Sequence, residues 1–189
     1  MPDTAIPSLA DRVRHLATET PVVGVHFLGS APVFVLGEEA LLFADGERKV
    51  AVHGGGILAS ACDGARIVTG GDDGRLMATD AQGTVTELAS DDKKRWIDQL
   101  ALGPDRAVAW SAGKTAHVIT GKGERRPFDA PSTVAGLAFA PKGFRLAIAH
   151  YNGVSFWFPN AAAKPEFFEW KGSHLGVTIS PDGRFLVTT

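Results

Sequence analysis

The stretch ISPDGRFLVTT (179–189) holds an apolar run, a Pro-Asp-Gly turn and a second apolar run. Pro181 presets a backbone angle φ of about −65°, and Gly183 accepts positive φ, so the chain is expected to reverse direction between the two runs. Residues 185–187 would then pair with residues 178–179. The pattern therefore predicts a β-hairpin.

The hairpin pattern recurs toward the N-terminus at a period of about 40 residues. Two copies keep the turn and the apolar positions, and two earlier copies are looser. The four copies are FAPKGFRLAIA (139–149), ALGPDRAVAW (101–110), SACDGARIVTGG (60–71) and HFLGSAPVFVLG (26–37). Since a fixed period determines the whole architecture, the hairpin is expected to be one part of a repeating unit.

The rest of each unit is also typical of strands. The second unit contains ILASAC, ARIVTG, RLMATD and TVTELA, separated by Asp-Gly (63–64), Asp-Asp-Gly (72–74) and Gln-Gly (82–83). The fourth unit repeats this order with VAGLAFA, FRLAIAH, VSFWF and PEFFEW, and Asn-Gly (152–153) is a strong hairpin signal. Four short antiparallel strands in about 40 residues correspond to one blade of a β-propeller.

On these features the chain resembles the WD40 repeat family over nearly its whole length, in a degenerate form of bacterial type. The matching pieces are SPDGRFLVT, GGDDGRLMATD, NGVSFWF and WKGSHLGVTISPDG. The signature Trp-Asp pair is eroded, because Trp157 is followed by Phe158 while Asp45 and Asp80 hold the Asp position without a Trp. The resemblance therefore rests on the period and on the turns.

The resemblance implies an all-β fold of four-stranded antiparallel blades, with about 4.5 blades in this chain. The expected blades span 22–54, 57–90, 96–130 and 134–171, with an incomplete blade at 174–189. Residues 12–17 follow the pattern of TVTELAS and are expected to form an outermost strand, which closes the ring in the family. As an alternative, Leu9, Val13 and Leu16 fit a short amphipathic helix.

A closed ring of about seven blades needs roughly 300 residues, whereas this chain has 189. The chain is therefore expected to be the N-terminal portion of a larger propeller. Closure by self-association through the incomplete blades is the alternative expectation.

Composition narrows the classes of function. A formal net charge of −2 gives no overall basic field, so nucleic-acid binding is disfavoured and rests only on the KKR (93–95) and ERR (124–126) triplets. No signal peptide and no long apolar segment is found, which favours a cytoplasmic protein without a membrane role. Cys62 is the single cysteine, so no disulfide within the chain can form, and we expect it to be a buried small hydrophobe.

No catalytic or cofactor motif is present, so a non-enzymatic protein without a cofactor or metal is expected. Lys114 in AGKTA lacks the upstream Gly of a phosphate-binding loop and indicates a hairpin turn. The six histidines lack metal-ligand spacing, and His174 is expected by family analogy to make a structural hydrogen bond. Asp72-Asp73-Gly74 reads as a turn rather than a calcium loop. Asp98 or Gln99 could face the central channel.

The resemblance implies that the loops entering each innermost strand and the turns between second and third strands gather on one face. Candidate partner-binding residues on this rim are Glu39, Asp72, Arg75, Lys94, Arg95 and Tyr151. The expected function is a scaffold that binds a protein or peptide partner. The alternative is a propeller enzyme, or a small-ligand or metal-binding protein, with its site at the channel.

Overall fold

The structure is a computed structural model that describes Ser8, Ala10 and residues 13–189. Short β-strands dominate the described part, with single 3-10 turns at Asp45–Glu47 and Pro104–Arg106. Within that part, the chain forms no helix with the length and apolar character needed to cross a membrane.

The strands form five antiparallel sheets, and within each sheet they lie side by side in chain order. The first sheet contains β1 (Val22–Leu28), β2 (Ala31–Leu36), β3 (Ala40–Phe43) and β4 (Arg48–Ala51), and the second contains β5 (Ile57–Cys62), β6 (Arg66–Gly71), β7 (Arg75–Asp80) and β8 (Val85–Ser90). The third contains β9 (Leu100–Leu102), β10 (Val108–Ala112), β11 (Thr115–Ile119) and β12 (Arg125–Asp129), and the fourth contains β13 (Gly136–Phe139), β14 (Leu146–His150), β15 (Gly153–Trp157) and β16 (Glu166–Glu169). The fifth contains β17 (Val177–Ile179) and β18 (Leu186–Thr188).

The predicted fold class is confirmed: the chain is all-β, with four four-stranded sheets and part of a fifth. The hairpin predicted from ISPDGRFLVTT is present as β17 and β18, with Ile179 opposite Leu186. The backbone N–H of Ser180 donates to the carbonyl of Phe185 at 2.9 Å. Gly183 has a φ of 75°, the left-handed conformation for which glycine is suited.

Most of the core lies between successive sheets, and a smaller cluster of Leu36, Ala40 and Leu42 lies on the outer face of the first sheet. Residues on facing sheets form one apolar cluster per junction. Representative members are Leu41 with Ile67, Leu76 with Val108, Val118 with Ile148, and Val154 with Ile179. The first strands of consecutive sheets are neighbours. This arrangement places β1, β5, β9, β13 and β17 innermost, as in the blades of a propeller.

Residues 13–18 lie beside the outer part of the first sheet without forming a strand. A guanidinium nitrogen of Arg14 lies 3.0 Å from a carboxylate oxygen of Glu47, and Leu16 lines a cavity with Leu42. No described strand pairs with residues 13–17, and the outer strand predicted at 12–17, which would complete a blade with strands not in this chain, stays a prediction; residue 12 lies outside the described residues. The alternative helix is not seen at Val13 or Leu16 either, and Leu9 is outside the described part.

Candidate interaction surface on the turn face

One face of the array carries two kinds of connection, and we call it the turn face. Antiparallel strands in chain order place every second connection on the same side. The turn face is defined by the turns 37–39, 72–74, 113–114 and 151–152, and by the loops 52–56, 91–99, 130–135 and 170–176.

Backbone hydrogen bonds tie each turn to the loop that follows its sheet. In every complete sheet, a backbone N–H of the loop donates to a carbonyl of the turn. The pairs are Val52 to Glu39 at 2.8 Å, Asp91 to Gly74 at 2.8 Å, Val134 to Gly113 at 3.0 Å and Trp170 to Asn152 at 3.0 Å. The repetition fixes loops and turns relative to each other, so side chains on this face project from a defined backbone.

A buried histidine reinforces the junction between the first two sheets. His53 precedes β5, and its Nδ1 lies 3.1 Å from Oδ1 of Asp73 while its Nε2 lies 2.9 Å from Oγ1 of Thr69. Burial raises the pKa of Asp73, but backbone N–H groups of Gly54 and Arg75 and the His53 ring donate to its carboxylate, and the net pKa lies below its ordinary value. The carboxylate thus stays ionised and holds the turn against the loop.

The hydrogen bonding predicted for His174 is confirmed. Its Nδ1 lies 2.7 Å from Oγ1 of Thr188, and its Nε2 lies 2.9 Å from the carbonyl oxygen of Trp170. His53 holds the same place ahead of β5 that His174 holds ahead of β17. Each contacts a threonine of its sheet's second strand, 16 and 14 residues later. This paired His-to-Thr spacing was the sequence signal that could have identified His53.

Both arginines of the predicted rim are engaged in ion pairs. Arg95 lies 2.6 Å from Oδ1 of Asp91, and Arg75 lies 2.6 Å from Oε2 of Glu87. The hydrogen bond from Arg95 is the main reason that the pKa of Asp91 falls to about 2. The two guanidinium groups are therefore held in place, and both arginine side chains remain partly exposed.

The other predicted rim residues are spread along the turn face. Asp72 is half-buried against Gly55, where an added Cβ would overlap its carboxylate. The backbone of Lys94 lies against Gly74, in the same turn as Asp72, while Glu39 and Tyr151 lie on the first and fourth sheets. The structure therefore brings Asp72, Lys94 and Arg95 close to one turn and leaves Glu39 and Tyr151 further along the rim.

Trp96 was missed by the sequence reasoning. It follows Arg95 in the loop between the second and third sheets, and its side chain is 62% exposed. The next residue, Ile97, is fully buried against Gly70. A tryptophan beside a buried position in a polar loop was the only sequence signal, and it does not distinguish an exposed ring from a packed one.

Asp98 and Gln99, the two channel candidates, both contact Ser111. The Ser111 hydroxyl donates to Oδ1 of Asp98 at 3.4 Å, while the carbonyl of Gln99 accepts from the backbone N–H of Ser111 at 3.2 Å. Across residues 13–189 no group of three or more His, Cys, Asp or Glu side chains is arranged to hold a metal ion.

Two further sequence expectations concern turns and packing. The AGKTA segment forms the turn between β10 and β11, as predicted for Lys114. Cys62 was predicted to be buried and is instead half-buried, because it lies at the end of β5 with its Sγ 3.4 Å from the carbonyl oxygen of Phe27. It still packs against the apolar cluster of the first junction.

Comparison with known proteins supports the architecture. No protein-family model matches the sequence, and a search of curated proteins found no match. In contrast, 701 chains in solved structures match, among them a WD40 propeller chain in the crystal structure of the Mitotic Checkpoint Complex. The likeness has a TM-score of 0.73 at 19% identity and covers 93% of this chain and 60% of the neighbour. The chain thus has the fold of a partial β-propeller and spans 60% of the neighbour's length.

Proposed function

We propose that this protein is a non-enzymatic scaffold that binds a protein or peptide partner on its turn face. The observation that carries the proposal is the exposure of two aromatic anchors on that face, Trp96 and Tyr151, the latter 53% exposed. Tryptophan, tyrosine and arginine are the residues that most often dominate the energy of protein interfaces. The likeness to a chain from a multi-protein complex supports a scaffold in general terms.

The surroundings of the two aromatic residues favour recognition. Trp96 is placed between Arg95, which is held by Asp91, and the fully buried Ile97. The backbone N–H of Tyr151 donates to the Ser132 hydroxyl at 2.9 Å. Because the backbone on both sides is anchored, binding through these side chains would cost less conformational entropy than binding through a mobile loop.

The opposite face differs in composition. It carries the connections within the hairpins, such as 63–65, 103–107 and 120–124. In the four complete sheets, no described residue of these connections is an exposed large hydrophobic side chain. The contrast favours the turn face over the opposite face as the partner surface.

Site-specific photo-crosslinking tests this proposal. A benzoylphenylalanine residue replaces Tyr151 on the turn face, and a matched variant carries it in place of the exposed Lys122 on the opposite face. After irradiation in the native host, the position 151 variant is expected to yield a discrete protein adduct that the position 122 variant lacks. Trp96→Ala in the same chain is expected to reduce the adduct several-fold. Equal labelling at both positions, or an adduct insensitive to Trp96→Ala, would contradict the proposal.

A further inference from the structure

On the opposite face, an arginine side chain bridges each of the first two junctions between sheets. At the first junction, the guanidinium of Arg48 donates to the carbonyl of Gln82 at 2.7 Å and lies 4.4 Å from the centroid of the Phe43 ring. At the second junction, the guanidinium of Arg66 donates to the carbonyl of Arg106 at 2.7 Å. The protein thus uses guanidinium groups to join the hairpin connections of neighbouring sheets.

The surroundings of Arg66 show how such a group is bound. Its Nε donates to a carboxylate oxygen of Asp63 at 3.0 Å, and a second guanidinium nitrogen reaches the Arg106 carbonyl across the junction. The Arg66 side chain is only 11% exposed. A carboxylate of one sheet and a carbonyl of the next sheet therefore hold a guanidinium group between them, largely out of contact with water.

The third junction, between the third and fourth sheets, has no such arginine at the same place. Ile67 and Val108 occupy equivalent positions in their sheets, since each lies opposite the last residue of the innermost strand. Arg66 therefore corresponds to Ala107, whose methyl group is too short to cross the junction. Among the described residues, no backbone hydrogen bond joins the connection 103–107 to the first hairpin connection of the fourth sheet.

Two adjoining cavities lie at this junction on the opposite face. One has a volume of about 550 Å³ and lies between the first hairpin connections of the third and fourth sheets. The other has a volume of about 530 Å³ and lies beside the connection 120–124 of the third sheet. Both cavities are lined by Asp105, Phe144 and Asn160. Each volume is in the range of small-molecule sites, about 300–1,000 Å³.

The first cavity has an apolar wall. Its lining includes Leu102, Phe139 and Phe144. The Phe139 ring packs directly on Gly103, where an added Cβ would lie 2.8 Å from the ring, and the centroids of the Phe139 and Phe144 rings are 5.5 Å apart. This wall suits the aliphatic part of a ligand, and the aromatic faces suit a cation.

The second cavity has charged walls with one uncommitted carboxylate. A guanidinium nitrogen of Arg126 lies 2.7 Å from a carboxylate oxygen of Glu124, so these two charges offset each other. Asp105 and Lys122 also line this cavity, and neither forms an ion pair with a described residue. The backbone carbonyl of Asp105 packs against Gly121, which fixes this residue at the boundary of the two cavities.

We propose that the two cavities bind a small guanidino compound, with its guanidinium group on the Asp105 carboxylate and its alkyl chain against Phe139 and Phe144. A planar guanidinium group donates two parallel hydrogen bonds to a carboxylate and stacks on aromatic rings. The ligand takes at the third junction the place that Arg66 takes at the second. The site is separate from the partner surface proposed on the turn face.

The composition of the opposite face favours a small compound over a polypeptide. Protein interfaces depend on large exposed anchors, most often aromatic residues. In the four complete sheets, the described hairpin connections on this face expose no large hydrophobic side chain. The apolar rings at the third junction lie within the cavity wall, where a compound of a few atoms reaches them.

Titration with two matched compounds tests the proposal. Propylguanidinium is the arginine side chain without its backbone, and propylurea is its uncharged counterpart of the same shape. Nuclear magnetic resonance of the nitrogen-15-labelled chain is expected to show saturable shifts of the amides of Gly103, Asp105 and Gly121 at millimolar propylguanidinium. Propylurea is expected to bind about tenfold more weakly. Equal binding of the two compounds, or no saturable shift, would overturn the proposal.

Two substitutions test the role of charge. Asp105→Asn is expected to weaken propylguanidinium binding about tenfold, and asparagine tolerates the positive φ of this position. Asp45→Asn, at an exposed aspartate on the same face, is the matched control and should leave binding unchanged. Lys122→Ala is expected to strengthen binding about two- to threefold, because it removes a like charge. Unchanged binding by Asp105→Asn, or weaker binding by Lys122→Ala, would contradict the assignment.

Two further measurements assign the occupant and the surface. The capped tripeptide acetyl-Gly-Arg-Gly-amide is expected to bind no more tightly than propylguanidinium. Binding more than about tenfold tighter would identify an arginine of a polypeptide as the occupant and overturn the assignment to a small compound. Trp96→Ala is expected to leave the propylguanidinium shifts unchanged, since Trp96 lies on the turn face. Loss of these shifts in that variant would place the ligand on the turn face and overturn the proposal.

Discussion

The imidazole of His53 joins the loop after the first sheet to the turn that contains Asp73, with Nδ1 and Oδ1 3.1 Å apart. The other ring nitrogen lies 2.9 Å from the Thr69 hydroxyl. The histidine is buried, and two polar groups of the second sheet, the Asp73 carboxylate and the Thr69 hydroxyl, therefore depend on one side chain of the preceding loop.

His53→Ala is expected to lower the free energy of unfolding by about 1–3 kcal/mol, because it leaves the buried Thr69 hydroxyl without this partner. Urea denaturation followed by tryptophan fluorescence measures the change. His15→Ala is the matched control, since His15 is exposed, and it should alter the midpoint little. Equal midpoints for the two variants would show that the bonds of His53 add no net stability.

The ion pair of Asp91 with Arg95 predicts a defined loss of stability in acid. The folded pKa of Asp91 is about 2, below its ordinary value of 3.8. Its contribution is therefore present above about pH 4 and is lost as the pH falls toward 2. Asp91→Asn should be less stable than the parent at pH 7, and the difference should shrink between about pH 4 and pH 2. Urea denaturation of both proteins across this pH range measures the difference in free energy of unfolding. A difference that does not change with pH would contradict the stabilising role of the Asp91 carboxylate.

Gly74→Ala is expected to destabilise the protein more than Gly123→Ala. Both glycines have positive φ, so both substitutions cost about 1–2 kcal/mol in backbone strain. At Gly74, the new Cβ would also lie 2.8 Å from Cα of Lys94, whereas nothing lies within 4 Å at Gly123. The difference in melting temperature between the two variants measures the cost of this crowding. Equal decreases in melting temperature would mean that loop 91–99 shifts to accommodate the new Cβ without a cost.

Asp98→Ala tests the channel as a competing site. If the protein is a scaffold, the variant should keep its fold and the crosslinked adduct at position 151. The metal content of the purified parent is compared with that of the variant, and circular dichroism shows whether the variant is folded. Loss of a bound metal ion from a folded variant would instead support a ligand or metal site at the channel.

The repeat and its turns could be predicted because they depend on local chemistry. Pro181 and Gly183 specify a reversal regardless of what surrounds them, and the period exposes four further copies. The outer strand expected at 12–17 could not be predicted in the same way, because a strand forms only where another strand offers its edge. Sequence similarity to TVTELAS carries no information about that partner.

The candidate site was predictable in part. The face and several of its charged residues followed from the resemblance, and whether they bind a partner stays a prediction. The ion pair of Arg75 with Glu87 and the exposure of Trp96 depend on neighbouring strands and loops, which a single sequence does not display. The role of His53 depends on a strand and a turn that bring Thr69 and Asp73, 16 and 20 residues later, back to its loop, and its trace in the sequence is the similar spacing from His174 to Thr188.

The packing between sheets determines which sheet unfolds locally at the lowest cost in free energy. The second, third and fourth sheets are each packed on both faces, whereas among the described residues the two-stranded fifth sheet packs against the fourth sheet alone. In linear arrays of this kind, the unit with a single neighbour is the least costly to detach. Amide hydrogens of Val187 should therefore exchange with solvent long before those of Val108. Among the described sheets, local opening is therefore expected at β17 and β18 before it reaches the sheets that are packed on both faces.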